Sequence, residues 1–280
     1  LWGPMNYVAA ATAPLRNTGQ IKLYDQAEAF AGMRAAGRIA AGCLDMLVAE
    51  VHDGVTTQRI DDLAREYVLD HGALPACVFY RGYRHTVCTS LNHVVCHGVP
   101  GDRVLRDGDI MNIDVTVIVD GWHGDTSRMY SVGAPNRKAQ RLMDVTYEAL
   151  MRGLAMIKPG VTTGDLGHAI QSYAEAERCS IVREFCGHGL GRVFHDAPNI
   201  LHFGKPGQGE EIKPGMLFTV EPMLNAGSPA VKVLNDGWTA VTKDKSLSAQ
   251  YEHSIGVTET GIEIFTKSPA GLDTPHARAG

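Results

Sequence analysis

Apolar and polar positions follow two rhythms along this chain. Residues 26 to 50 form an Ala-rich segment with apolar positions at helical spacing, and Thr57 stands as the expected N-cap of a second helix running through Gln58-Arg59-Ile60. Arg137 to Ile157 repeats the first pattern, and a fourth helix is predicted after Lys158-Pro159-Gly160 through about Ala176. Three runs read instead as buried strands: Asn112 to Val119, Phe218 to Met223 and Tyr251 to Val257. Asp120-Gly121 follows the first of these as a two-residue hairpin turn.

The order of these elements repeats. Gly-Val-Thr-Thr occurs at Gly54 and again at Gly160, 106 positions later, and Asp107 to Asp114 aligns with Pro214 to Glu221 at an offset of 107. In both copies a helix–turn–helix precedes a turn into an acid-bearing strand, which predicts two α+β halves of about a hundred residues each. Asp114 and Glu221 then occupy equivalent places, and a cleft between such halves is a common ligand position.

Four acids interrupt the strand-like runs: Asp114, Asp125, Glu221 and Glu252. A buried carboxylate pairs with a base, binds metal, or shifts its pKa and neutralises. Nearby Lys and Arg are too few to serve all four, so a metal cluster is the leading expectation. With Asp120-Gly121 at the tip, Asp114 faces residue 127 and lies within two positions of Asp125, and a bulge near Gly124 is expected to bring the acids together. The bland alternative, in which Asp114 caps a turn and Asp125 opens a loop, leaves the two glutamates unexplained. His188, within Gly187-His188-Gly189-Leu190-Gly191, is the best imidazole candidate. That run is no dinucleotide fingerprint, because Arg192 stands at the sixth position. His93, His97, His195 and His202 also lie in Gly-rich or apolar turns, whereas His52, His71 and His276 do not.

Composition narrows the class without changing this picture. Apolar content of 44%, charged content of 20%, a net charge of −5 and a pI near 6.2 describe a globular chain without the basic footprint of a nucleic-acid or anionic-membrane binder. Cys43, Cys77, Cys88, Cys96, Cys179 and Cys186 show no C-x-x-C pairing, which speaks for a reducing compartment. No run reaches the roughly 18 to 20 apolar residues of a membrane span, and no signal-peptide core is present, so the expected location is cytoplasmic. The expected organisation is an extension over residues 1–25, with Met5 as the natural start after Leu1-Trp2-Gly3-Pro4, a catalytic domain over 26–266, and a tail over 267–280.

Taken in order, Cys96-His97-Gly98, Asn112-Ile113-Asp114-Val115, His123-Gly124-Asp125-Thr126, Gly187-His188-Gly189, Phe194-His195, Val220-Glu221-Pro222 and Tyr251-Glu252-His253 resemble type I methionine aminopeptidase, over about residues 26 to 266. The resemblance implies the pita-bread fold, two pseudo-symmetric α+β halves around a curved central antiparallel sheet. It implies Asp114, Asp125, His188, Glu221 and Glu252 as ligands of two divalent ions (Co, Mn, Fe, Ni or Zn), with Asp125 and Glu252 bridging. Such ions polarise a scissile carbonyl and lower the pKa of a bridging water. By the same resemblance Glu221 also shuttles a proton, His97 sits at the scissile nitrogen and His195 at the carbonyl oxygen. The resemblance further implies that Cys77, Tyr80, Tyr83, Cys88, His97, Phe194, His195 and Trp238 line the substrate pocket. The implied substrates are methionyl peptides and nascent chains with a small second residue, met by a monomer acting transiently at the ribosome.

His93 and Arg84-His85-Thr86 depart from the family pattern, at positions taken as pocket rim. The 26 positions from His195 to Glu221 leave no room for the helical insertion of type II enzymes. A proline-specific peptidase of the same fold is the enzymatic rival, and its usual N-terminal domain is not matched by the 25 residues before the first helix. A non-catalytic binding module on this fold is the rival from another class, and all five ligand positions are filled here.

Overall fold

The computed structural model describes residues 17–275. The expected start at Met5 and the background histidine His276 lie outside the described residues.

Four helices form where the apolar spacing places them. Helix α1, Gln26–Leu47, is capped by Asp25, whose carboxylate accepts from the amides of Ala27 and Glu28. It stops three residues before the expected end, where Val48 donates to Asp45 in a closing turn. Helix α2, Thr57–Asp70, is capped by Thr56 rather than Thr57, because Thr56 holds the extended backbone of an N-cap and its hydroxyl accepts from Arg59 N. The Thr57 hydroxyl is drawn instead to the backbone of Gly101. Helix α3, Arg137–Met156, starts at Asn136, and α4, Thr163–Ala176, starts at Thr162 with Asp165 completing a capping box.

The repeat is structural. Thr56 and Thr162 cap equivalent helices, and each makes an isolated bridge to a turn residue, Val104 and Glu211 respectively. Gly54 and Gly160 share φ near +88°, as do Gly108 and Gly215, at the 106 and 107 offsets of the sequence repeat. Each half has its own core. Ala40, Leu44, Ile60, Met111, Ile113 and Val115 pack under α1 and α2, while Leu142, Leu150, Ile170, Phe218 and Ile255 pack under α3 and α4.

All named strand pairs are antiparallel. Strand Ile110–Val119 pairs with Trp122–Ser131 and Val87–Leu91 in the first half. In the second half the order runs Ile262–Ile264, His253–Val257, Leu217–Val220, Gly187–Gly189, Asp196–Ile200. The two sheets meet where Ser127 bridges Glu252. Across that seam the Thr126 hydroxyl donates to Glu252 O at 2.7 Å, and the Ser254 hydroxyl donates to Asp125 O at 2.6 Å.

The hairpin register is as expected, with Asp114 opposite Ser127, but the bulge near Gly124 is absent and the ladder runs unbroken. None is needed. Thr116 faces Asp125, so Asp114 and Asp125 are diagonal neighbours on one face of a regular hairpin. Gly124 serves α1 instead: a Cβ there would stand 2.4 Å from the carbonyl carbon of Ala36. Gly124→Ala is therefore expected to destabilise the protein by about 1–3 kcal/mol through overpacking. A lowered urea midpoint at unchanged slope would show it, whereas an unchanged midpoint would contradict this backbone-to-backbone packing.

The expected strand Phe218 to Met223 is split into Leu217–Val220 and Met223–Asn225, because Pro222 has no N–H for a ladder. The segments set apart as extension and tail are tied to the body. Asn17 Nδ2 donates to His195 O at 2.8 Å and Lys22 pairs with buried Asp196 at 2.5 Å. At the other end Ser268 and Ala270 bond Asp45, and Asp273 lies 3.5 Å from Arg128. No helix among the described residues is long and apolar enough to cross a membrane.

Candidate metal centre and substrate cavity

Between the halves lies a cavity of about 580 Å³. The first half brings Asp114 and Asp125 on the hairpin, and the second brings His188 on strand Gly187–Gly189, Glu221 just past Leu217–Val220 and Glu252 just before His253–Val257. His188 Nε2 lies 3.5 Å from Asp125 Oδ2 and 3.5 Å from Glu221 Oε1. Single ligand atoms of Asp125, His188 and Glu252 all fall within 4.8 Å of one another. Glu221 sits at the Pro222 break and Glu252 at the seam, so both acids occupy places where the ladder releases a side chain.

A surrounding layer orients these groups. The Thr116 hydroxyl donates to Asp125 Oδ1 at 2.7 Å, the Thr219 hydroxyl to Glu221 Oε1 at 2.7 Å, and Gln250 Nε2 to Glu221 Oε2 at 3.1 Å. Glu221 N donates to His202 Nε2 at 3.0 Å. His188 Nδ1 lies 3.1 Å from Gly189 O, which places the proton on Nδ1 and leaves the Nε2 lone pair facing the acids.

The rest of the cavity is aromatic and thiol-lined. Cys77, Tyr80, Tyr83, Cys88, His97, Phe194, His195 and Trp238 all face it. Tyr83 meets Trp238 edge-on at 5.0 Å, and Tyr80 meets Phe194 at 5.2 Å. His195 stacks on Phe194 at 3.8 Å, lies 4.4 Å from the His188 ring, and holds a left-handed backbone with φ +61°. His97 has φ +55° and meets Phe185 edge-on at 5.4 Å. The structure thus gathers every site residue of the sequence reading into one space.

It also corrects that reading. His93 is exposed and away from the cavity, and His202 is buried behind it as a support for Glu221. Arg84, His85 and Thr86 do not line the cavity, and His85 and the Thr86 amide are held by Asp61 of α2. Thr116, Thr219, Gln250 and Ser254 were not singled out, and each acts on an acid through a contact that sequence periodicity does not encode.

The profile of metallopeptidase family M24 matches residues 31–259. Methionine aminopeptidase of Rickettsia prowazekii (strain Madrid E) is 54% identical over 256 residues, covering 91% of this chain and 98% of that protein. The chain belongs to the methionine aminopeptidases of metallopeptidase family M24. The Escherichia coli (strain K12) methionine aminopeptidase is 51% identical over 84% of this chain and 89% of its own length. The crystal structure of the Rickettsia prowazekii enzyme superposes with a TM-score of 0.87, covering 88% of this chain and 100% of that one. A prolidase from Pyrococcus furiosus, 20% identical with a TM-score of 0.69, shares the fold.

Membership in a metallopeptidase family implies divalent metal ions, and the electrostatics of the site fit them. Burial pushes Asp114 up to about 7, and raises Asp125, Glu221 and Glu252 well above ordinary carboxylates, with mutual repulsion adding to burial for those three. No Lys or Arg pairs with these acids among the described residues, and burial holds His188 down at about 4, so it is a neutral donor at neutral pH. Four acids and one lone pair converging without a cation form a donor set for hard or borderline divalent ions.

Proposed function

We propose that this chain removes N-terminal methionine from peptides and nascent proteins, preferring a small second residue. The observation that carries the reading is the convergence of four carboxylates, with no Lys or Arg partner among the described residues, and neutral His188 beside a thiol- and aromatic-walled pocket, in a chain more than half identical to a methionine aminopeptidase. Asp114, Asp125, His188, Glu221 and Glu252 would hold two ions, with Asp125 and Glu252 serving both. Bound there, divalent ions polarise a carbonyl and bring the pKa of water toward neutrality.

The side chains supply the remainder. Glu221, oriented by Thr219 and Gln250, is placed to take a proton from the attacking water and return it to the leaving amine. His195 is kept neutral by burial and fixed in plane by Phe194, so it offers a ring N–H to the oxygen on which negative charge develops. His97, also held neutral by burial, faces the scissile nitrogen. The Cys77 and Cys88 thiols and the edges of Tyr80, Tyr83, Phe194 and Trp238 suit a thioether, each sulfur–aromatic contact contributing roughly 0.3–1.5 kcal/mol. We infer from the sequence resemblance that the chain acts as a monomer on proteins as they leave the ribosome, in the cytoplasm.

The test is methionine release from Met-Ala-Ser and alanine release from Ala-Pro-Ala by chelator-treated protein, with Mn, Co, Fe, Ni and Zn restored separately. Metal-dependent cleavage of the methionyl peptide alone is expected. Cleavage of the prolyl peptide would move the chain to the sister activity, and no cleavage with any ion would reject a peptidase. His195→Ala is expected to lower kcat about 100-fold, the scale of one lost donor to a developing charge. Metal content by atomic absorption should stay at the wild-type level, and loss of both ions from that variant would contradict the role given to His195.

A further inference from the structure

A second and larger space adjoins the catalytic cavity. A groove of about 960 Å³ begins at His188 and His195 and runs along strand Asp196–Ile200 toward the loop Gly204 to Glu210. His188, His195 and exposed Asn199 line both spaces, so the two share walls at the candidate centre. Its walls are fixed. Asn17 to Ile21 form one side, held by the bond from Asn17 to His195 O and the Lys22–Asp196 pair. The other side is the start of α4, where Thr163 N donates to Glu210 O and Gly164 N to Gln208 O. Ile21, Phe203 and Leu201, the last 40% exposed, give it apolar surface.

Strand Asp196–Ile200 is an edge strand, paired only with Gly187–Gly189 among the described residues. A peptide laid along a strand edge is gripped by its main chain, which makes binding tolerant of sequence. An enzyme that trims many different proteins requires that tolerance. We propose that the groove receives the extended substrate chain downstream of the scissile bond, from about the third residue onward. The proposal rests on the aminopeptidase reading above and adds a subsite to it.

The experiment compares kcat/KM for Met-Ala-Ser with that for an octapeptide beginning Met-Ala-Ser, using metal-loaded full chain. The octapeptide is expected to be favoured about tenfold, the worth of burying roughly one half-exposed apolar side chain. Leu201→Asn, outside the catalytic cavity, should remove most of that preference and leave the tripeptide unchanged. The heptapeptide product Ala-Ser onward should compete with substrate more tightly in wild type than in Leu201→Asn. Equal kcat/KM for the two lengths, or equal loss on both in the variant, overturns the groove while leaving the aminopeptidase reading intact. Failure of wild type to cleave either peptide overturns that reading and the groove with it.

Discussion

Asp125→Asn is expected to abolish turnover while making the metal-free protein more stable. Asp125 is 3% exposed, accepts from Thr116 and stands 3.5 Å from His188. As a ligand serving both ions it contributes charge that an amide cannot replace. Losing several kcal/mol of transition-state stabilisation corresponds to a drop of about 10³-fold or more in kcat/KM. Retention of even a tenth of wild-type turnover would sink the dinuclear assignment. Without metal the same side chain is a liability, since its proton affinity is raised by burial and by the charge of Asp114. Asparagine keeps its shape, can still accept from Thr116, and presents an N–H toward His188 Nε2. The variant should therefore gain about 1–2 kcal/mol over wild type in chelator at pH 8, measured by urea unfolding, in line with relief of an uncompensated buried charge. This arm separates loss of chemistry from loss of fold: a variant that is both inactive and destabilised would not support the electrostatic account.

The hairpin shows why part of this site was legible in the sequence. Asp120 and Gly121 both have positive φ, at +48° and +80°, as a tight two-residue hairpin turn requires. That local requirement sets Asp114 opposite Ser127 without any long-range information. The expected bulge failed because period two alone already puts Thr116 and Asp125 on the face of Asp114. The repeated Gly-Val-Thr-Thr was equally legible, since a glycine turn followed by a threonine cap is decided within a few residues. The shift of the cap from Thr57 to Thr56 was not, because the bond from Thr57 to Gly101 spans 44 positions.

The supporting layer was illegible for the same reason. Gln250 reaches Glu221 across 29 positions, and Ser254 grips the Asp125 backbone across 129. Neither Gln nor Ser is unusual in a strand, so their sequence context carries no signal of an acid to be oriented. Likewise Asn17 and Lys22 read as part of an extension, yet they fix the loop of His195 through contacts 178 and 174 positions apart. What the motifs conveyed was the donor set, and what the fold added was the means of holding it.

That donor set gives the second large effect: metal-free protein should lose stability as pH rises from about 6.5 to 8, and metal-loaded protein should gain it. Asp114 is pushed up to about 7 from 3.8, and Asp125, Glu221 and Glu252 lie well above 3.8 or 4.5. In this range the folded chain retains protons that the unfolded carboxylates have released. Their stabilisation is complete below the unfolded values and is lost as pH climbs through the folded ones. Buried histidines have the opposite sign. His188 at about 4, with His202 and His253 at about 3, stays neutral in the fold, so stability is lost as pH falls below their unfolded value of 6.5. The two sets oppose each other while the unfolded imidazoles still hold protons, a contribution that is small per residue above about 6.5 and has faded by about pH 7.5, above which the acids act alone. Each carboxyl still protonated there removes ~1.4 kcal/mol per pH unit. Loading with divalent ion inverts the slope, because the ion competes with those same protons and binds more strongly as they leave. Urea midpoints at pH 6.5 and 8, in chelator and in Mn, should therefore move in opposite directions. A metal-free midpoint that rises over this interval would mean that the four acids are already ionised in the fold, and the convergence on which the metal centre rests would be wrong.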